Sequence, residues 1–159
     1  MVMYKIQEEA GEKVMKECLR LGQMHYDEVY EDKKDKVPRN WNWQFLKICN
    51  DNHLLHMVTT RDEEGKMVGY FVVLVSPDML SSTFKAEDLA IFVHPDHRGN
   101  GVWSLMLAKV EELLTTNGVA SMTLKFQAGF NDQLPVREGY KLREYLYEKI
   151  LVEEEPWEL

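Results

Sequence analysis

The stretch HPDHRGNGVW, His94 to Trp103, decides how this chain is read. An apolar run, LAIFV (Leu89–Val93), precedes it, and SLMLAKVEELL (Ser104–Leu114), with apolar side chains at helical spacing, follows it. A strand therefore ends where a helix begins, and Gly99, Asn100 and Gly101 stand between them. The first N–H groups of a helix have no acceptor within the helix, and the helix dipole puts positive potential there. Glycines let an anion reach those groups without meeting a Cβ. Arg98 adds a cation with a fork of donors. RGNG thus has the chemistry of a pyrophosphate cradle, while the same four residues also suit a tight turn that binds nothing. Two other nucleotide-binding patterns fail on spacing. A G-x-G-x-x-G turn would need its third glycine at Ser104, and no G-K-S/T loop exists in the chain.

Working outward, the third strand of a run ends at this turn. LLHMVTTR (Leu54–Arg61) and MVGYFVVLV (Met67–Val75) are joined by DEEGK, a hairpin turn in which Gly65 supplies a positive φ. AEDLAIFV (Ala86–Val93) is the third strand. Upstream lie a short strand in MYKIQEE, a helix from Glu12 to about Tyr30, a charged loop from Glu31 to Asn40, and a second helix beginning near Asn40 as its cap. Downstream, a helix from Val102 to Asn117 stops at Gly118. VASMTLKF is another strand, NDQLPVREGY holds a short, proline-limited helix, and KLREYLYEKILV alternates like a final strand. Short turns make the middle strands antiparallel, and the crossover helix makes its flanking strands parallel. The expected fold is α/β: one mixed, mostly antiparallel sheet of six or seven strands with helices on both faces. One domain over residues 1–152 is expected, followed by an acidic tail over 153–159.

Composition bounds the function. The chain has 159 residues, 45% hydrophobic and 29% charged, as a soluble globular domain has. No run approaches the roughly 18 apolar residues of a membrane span, and no secretory signal opens it. Cys18 and Cys49 are too few for a disulfide framework, fall on helix patterns and look packed, so a cytoplasmic location is expected. A formal net charge of -8 argues against a broad nucleic-acid-binding face and permits a cationic substrate. His53 with His56, and His94 with His97, lack the partners of a metal site, so no metal is expected. Trp41, Trp43 and Phe45 suit core anchors better than an acceptor pocket. Ser81, Ser82 and Thr83 suit an ordinary loop.

From Leu54 to Leu151 the order and spacing of these segments resemble the GNAT superfamily of acyl-coenzyme A-dependent N-acetyltransferases, and the pattern is similar to small bacterial and phage-borne members. The family signature, Q/R-x-x-G-x-G/A after the fourth strand, falls on Arg98, Gly99, Asn100, Gly101, Val102 and Trp103. The resemblance implies acetyl transfer from acetyl-coenzyme A to a primary amine by direct attack on the thioester. It implies that these six residues and the backbone of Ile91, Phe92 and Val93 hold the coenzyme. It also implies a base at the start of the same strand, for which Glu87 is the candidate and Asp88, expected on the opposite face, the second. The acceptor is expected to be a small-molecule or peptide amine, cationic and drawn by the acidic chain, and a homodimer is one state the family offers. Two departures favour a rival, a GNAT-fold binding module without transfer chemistry. Trp103 stands where the family has Gly or Ala. Pro135 stands where it often has the general-acid Tyr, leaving Tyr140, Tyr145 and Tyr147 as unranked substitutes.

Overall fold

The computed structural model describes residues 3–29, 42–126 and 133–149. Strand β1 (Lys5–Glu8) leads into helices α1 (Glu12–Val29) and α2 (Trp43–Asp51). Strands β2 (Leu55–Arg61), β3 (Met67–Pro77) and β4 (Phe84–Val93) then form a meander. Helix α3 (Val102–Thr116) crosses to β5 (Val119–Thr123), and a short α4 spans Gln133–Arg137. The strands lie in one five-stranded sheet in the order β1-β2-β3-β4-β5. The first three pairings are antiparallel and β4–β5 is parallel, as short turns and a helical crossover require. At the β2–β3 turn, Gly65 has φ 80° and the Asp62 carboxylate accepts from the N–H groups of Glu64 and Lys66.

Strand β3 is apolar almost throughout because both faces of the sheet are covered. On one face α3 packs Met106, Leu107 and Val110 against Val58, Phe71, Val73 and Ala86. On the other, α1 and α2 bring Met15, Cys18, Leu21 and Cys49 onto Met57, Tyr70, Val72 and Phe92. Both cysteines are buried, and burial pushes the Cys18 thiol up to about 12, so they are packing groups, as the helix pattern suggested. Arg61 ties the turn end of β2 to the β1–α1 connection and to α1, with Nε 2.8 Å from Glu9 and Nη2 2.7 Å from Glu17.

The sheet falls short of the expected six or seven strands. Residues 141–149 form no strand, although KLREYLYEKILV alternates. Alternation describes which side chains share a face, whereas a strand also needs a neighbour to take its N–H and C=O groups. Leu142, Tyr145, Leu146 and Tyr147 are all more than two-thirds exposed, and β5 ends the sheet among the described residues. The cap of α2 is Asn42, whose Oδ1 accepts from the Phe45 N–H at 3.0 Å, rather than Asn40. Asn40 itself, the charged loop, Trp41, residues 150–152 and the tail 153–159 lie outside the described residues. No helix among the described residues is long and apolar enough to cross a membrane.

Gly69 of β3 pairs with Val93, and a Cβ there would stand 3.1 Å from the Phe92 carbonyl oxygen and touch the Met106 side chain. The oxygen belongs to β4, which the β3 ladder and the cores on both faces hold at this point, so it has little room to move. Gly69→Ala is expected to remove about 1–3 kcal/mol of stability, read as a lower urea midpoint at unchanged slope.

Candidate functional site

The site begins with a mismatch of strand lengths. β4 has 10 residues and β5 has 5. Their parallel pairing runs from Phe84–Val119 to Glu87–Thr123 and stops. From Leu89 to Val93, β4 keeps β3 on one side and, among the described residues, has no strand on the other. A bulge sits at the parting. Val73 faces Asp88 and Val72 faces Ala90, so Leu89 is one residue too many. The extra residue reverses the alternation. Ala86 and Asp88 share the α3 face with Val73, whereas Ala90 and Phe92 share the α1 face with Val72 and Tyr70. Glu87, opposite Leu74, lies on the α1 face.

The free edge of β4 leads to the glycine turn. Pro95–His97 make one turn of 3-10 helix, and Gly101, with φ 73°, caps α3 without a side-chain bond. Gly99 has φ 79°, and a Cβ on either glycine would meet nothing within 4 Å. The two glycines are therefore required by backbone conformation, and the space above them is open. Among the described residues, the backbone N–H groups from Gly99 to Ser104 have no hydrogen-bond acceptor, and the next, Leu105, bonds to Gly101 O. A helix start of this kind can take an anion. Tyr4 steadies it, its hydroxyl 3.1 Å from His97 Nδ1 and 3.4 Å from Asn100 Nδ2.

Arg98 is committed more fully than its motif position suggests. Its Nε donates to the Val93 carbonyl at 2.9 Å, its Nη2 to Glu28 of α1 at 2.7 Å, and its guanidinium lies 5.4 Å from the Phe92 ring centroid. Trp103 is partly buried. It packs on the α3-face core and meets Phe126 edge-on, with ring centroids 5.9 Å apart. Val102 is buried in the same core.

The two carboxylates divide between the faces, as expected of neighbours on a strand. Glu87 is open to solvent and 2.8 Å from Lys125 Nζ, and that hydrogen bond holds its pKa below the ordinary carboxylate value. Asp88 is 8% exposed, and its Oδ1 accepts from the Lys125 backbone N–H at 2.8 Å. Burial pushes its carboxyl up to about 6. Of the tyrosines, Tyr140 donates to Glu111 at 2.8 Å, and burial followed by that carboxylate pushes its hydroxyl up. Tyr145 and Tyr147 project into solvent, and Pro135 lies in α4.

Sequence reasoning missed one cluster. His25 Nδ1 lies 2.8 Å from the Tyr70 hydroxyl, and the ring stacks on Phe92 at 5.2 Å. Burial pushes its pKa down to about 4, so it is neutral. The signal was available, since Leu21, His25 and Glu28 fall on one helical face. Phe45, read as a core anchor, is nearly half exposed, while Trp43 does pack on the α1-face core. Among the described residues, no three His, Cys, Asp or Glu side chains are grouped to hold a metal ion.

The model of the acetyltransferase (GNAT) family matches residues 15–140. The chain belongs to the GNAT family of acetyltransferases. Solved structures of the same fold include an aminoglycoside acetyltransferase, HMB0005, from an uncultured soil metagenomic sample. It is 14% identical, with 94% of this chain and 99% of that one covered and a TM-score of 0.71. A putative acetyl transferase from Pyrococcus furiosus is 21% identical over 94% and 100%, with a TM-score of 0.64. A predicted acetyltransferase with acetyl-CoA from Clostridium acetobutylicum is 14% identical over 94% and 97%, with a TM-score of 0.67. At these identities the likeness is one of fold. No protein in the curated set matches the sequence.

The buried carboxylate of this GNAT chain gives a stability test. Asp88 takes up its proton at about 6 in the folded protein against 3.8 for an ordinary Asp. Between those values the folded state binds more protons than the unfolded one, so this residue's contribution falls as pH rises. The fall should amount to at most about 3 kcal/mol, and Asp88→Asn should flatten it in urea titrations between pH 4 and 6.

Proposed function

We propose that this protein transfers an acetyl group from acetyl-coenzyme A to a primary amine. The observation that carries this reading is the run of unpartnered N–H groups from Gly99 to Ser104 at the end of a strand with a free edge. The residues present fit the coenzyme. Gly99, Asn100, Gly101, Val102 and Trp103 offer main-chain donors to its phosphates, and Arg98 adds charge beside them. Ile91 offers backbone groups along the β4 edge, whereas the Phe92 carbonyl turns toward β3, 3.1 Å from where a Cβ on Gly69 would stand. The Val93 carbonyl already accepts from Arg98 and contributes a remaining lone pair. The coenzyme supplies an activated acyl thioester. Glu87 is the base on the α1 face, and Lys125 keeps it ionised at neutral pH. An alkylammonium must lose a proton before it attacks, and Glu87 takes it, directly or through water. The leaving thiol has a pKa of about 8.5, so the thiolate can depart without a general acid. This suits a site where Pro135 replaces the family's Tyr. The acceptor is a cationic amine, favoured by a chain of net charge -8 and by the Glu87 carboxylate.

The rival, a binding module without transfer chemistry, has one observation in its favour: of the candidate general acids, Tyr140 donates to Glu111 and Tyr145 and Tyr147 project into solvent. Two experiments separate them. Acetyl-coenzyme A at about 100 times its dissociation constant should raise stability by about 2.7 kcal/mol in thermal unfolding, and Arg98→Ala should reduce that gain. Flat melting curves would remove the coenzyme from the reading. With an acceptor found by thiol release, Glu87→Gln should lower kcat by about 10²-fold, with coenzyme affinity little changed and partial recovery at high pH. Coenzyme binding without thiol release across an amine panel would favour the rival.

A further inference from the structure

Asp88 and Lys125 stand at the closed end of the β4–β5 split. Glu87–Thr123 is the last pair of the parallel ladder. In a continued ladder the next N–H groups of the β5 chain would bond to β4 carbonyls. The Lys125 N–H instead donates to Asp88 Oδ1 at 2.8 Å. A side-chain oxygen has taken the place of a main-chain acceptor, and no further pairing follows. Lys125 also reaches the other face of β4, where its Nζ lies 2.8 Å from Glu87. One residue thus holds β4 from both sides of the sheet.

We propose that the Asp88 carboxylate and the Lys125 backbone N–H form a clasp that fixes where β4 and β5 part, and that this clasp restricts the transferred acyl group to a short chain. The inference rests on the acyl-transfer reading given above. Asp88 is buried beside Ala86 and Val73 in the α3-face core. Its carboxylate is held there by one N–H, and displacing it would leave a buried charge unpaired. An acyl chain entering the split from its open end advances toward this polar group. A two-carbon group stops short of it. Each further methylene must either press apolar surface against the carboxylate or force the clasp apart, and both are unfavourable. Asp88 and Lys125 are on this account specificity-determining positions that bound the length of the acyl chain, while Glu87 handles the proton.

The test is calorimetric binding of acetyl-, butanoyl- and hexanoyl-coenzyme A to the whole chain. Wild type should prefer the acetyl ester. Asp88→Asn retains an oxygen that can accept from Lys125 and should keep the preference. Asp88→Ala opens the clasp and should reduce the preference for acetyl over hexanoyl by about tenfold or more, the range a methylene-sized change of fit commands. Lys125→Pro deletes the N–H while leaving Asp88 in place and should have the same effect, which covers the case that Asp88→Ala does not fold. Lys125→Ala keeps the N–H and should keep the preference. A folded Asp88→Ala or Lys125→Pro with unchanged preference would overturn the clasp alone, as would a wild type that favours the longer esters. A wild type that binds no ester would overturn the acyl-transfer reading and the clasp with it.

Discussion

A parallel strand pair that stops half-way is the constraint on which the site depends. β4 cannot yield, because β3 holds it along its whole length and both its faces are packed, by α1 and α2 on one side and α3 on the other. The parting must therefore be made by β5. Leu89 bulges where the partner ends, which turns Phe92 toward α1 and keeps Asp88 toward α3. Strand edges with unsatisfied N–H and C=O groups are unstable unless water or a partner takes them. The free edge of β4 is thus a template for an extended, hydrogen-bonding ligand, and it points at the glycine turn where such a ligand's phosphates would rest.

The charges around this edge are arranged locally. The chain as a whole is acidic and its long-range field repels an anionic coenzyme. Attraction has to come from short-range, oriented groups, and backbone N–H dipoles at a helix start provide it without adding a cation that the acidic surroundings would neutralise. Arg98 illustrates the alternative. Placed beside Phe92 and Glu28, its guanidinium is already shared between a carboxylate and a main-chain carbonyl. On the acetyl-transfer reading, a phosphate bound here must add to those contacts or compete with Glu28, which leaves much of the binding to the turn itself.

Most of the order of elements was legible because it depends on local signals. Helix periodicity, Gly65 in the hairpin turn, the Gly99–Gly101 pair and Gly118 as a helix stop each record a backbone requirement that a short window contains. The absence of a final strand was not legible, because pairing is a property of two segments and KLREYLYEKILV states only one of them. The site was legible in part. Motif spacing brought Arg98, Gly99 and Gly101 to the end of β4, and alternation placed Glu87 and Asp88 on opposite faces. The bulge at Leu89, the Lys125 clasp and the Arg98–Glu28 bridge join residues far apart in the chain, and no periodicity encodes them. Trp103 was ambiguous from its position alone, and only the neighbouring Phe126 and the α3 core decide that its ring packs inward.

The His25 cluster shows what the bridge between α1 and the turn rests on. Glu28 can hold Arg98 only if the C-terminal half of α1 is fixed against β4, and the stack of His25 on Phe92, with the Tyr70 hydroxyl bonded to Nδ1, fixes it there. A charged imidazole would be poorly suited to this place, since burial disfavours ionisation and Arg98 lies over the same Phe92 ring. The neutral ring fills the space between helix and strand beside the Arg98 guanidinium. Helix α1, the β4 edge and the glycine turn are in this way parts of one packed unit. Displacing Arg98 from Glu28 would be felt first along the helix that covers the same face as Glu87.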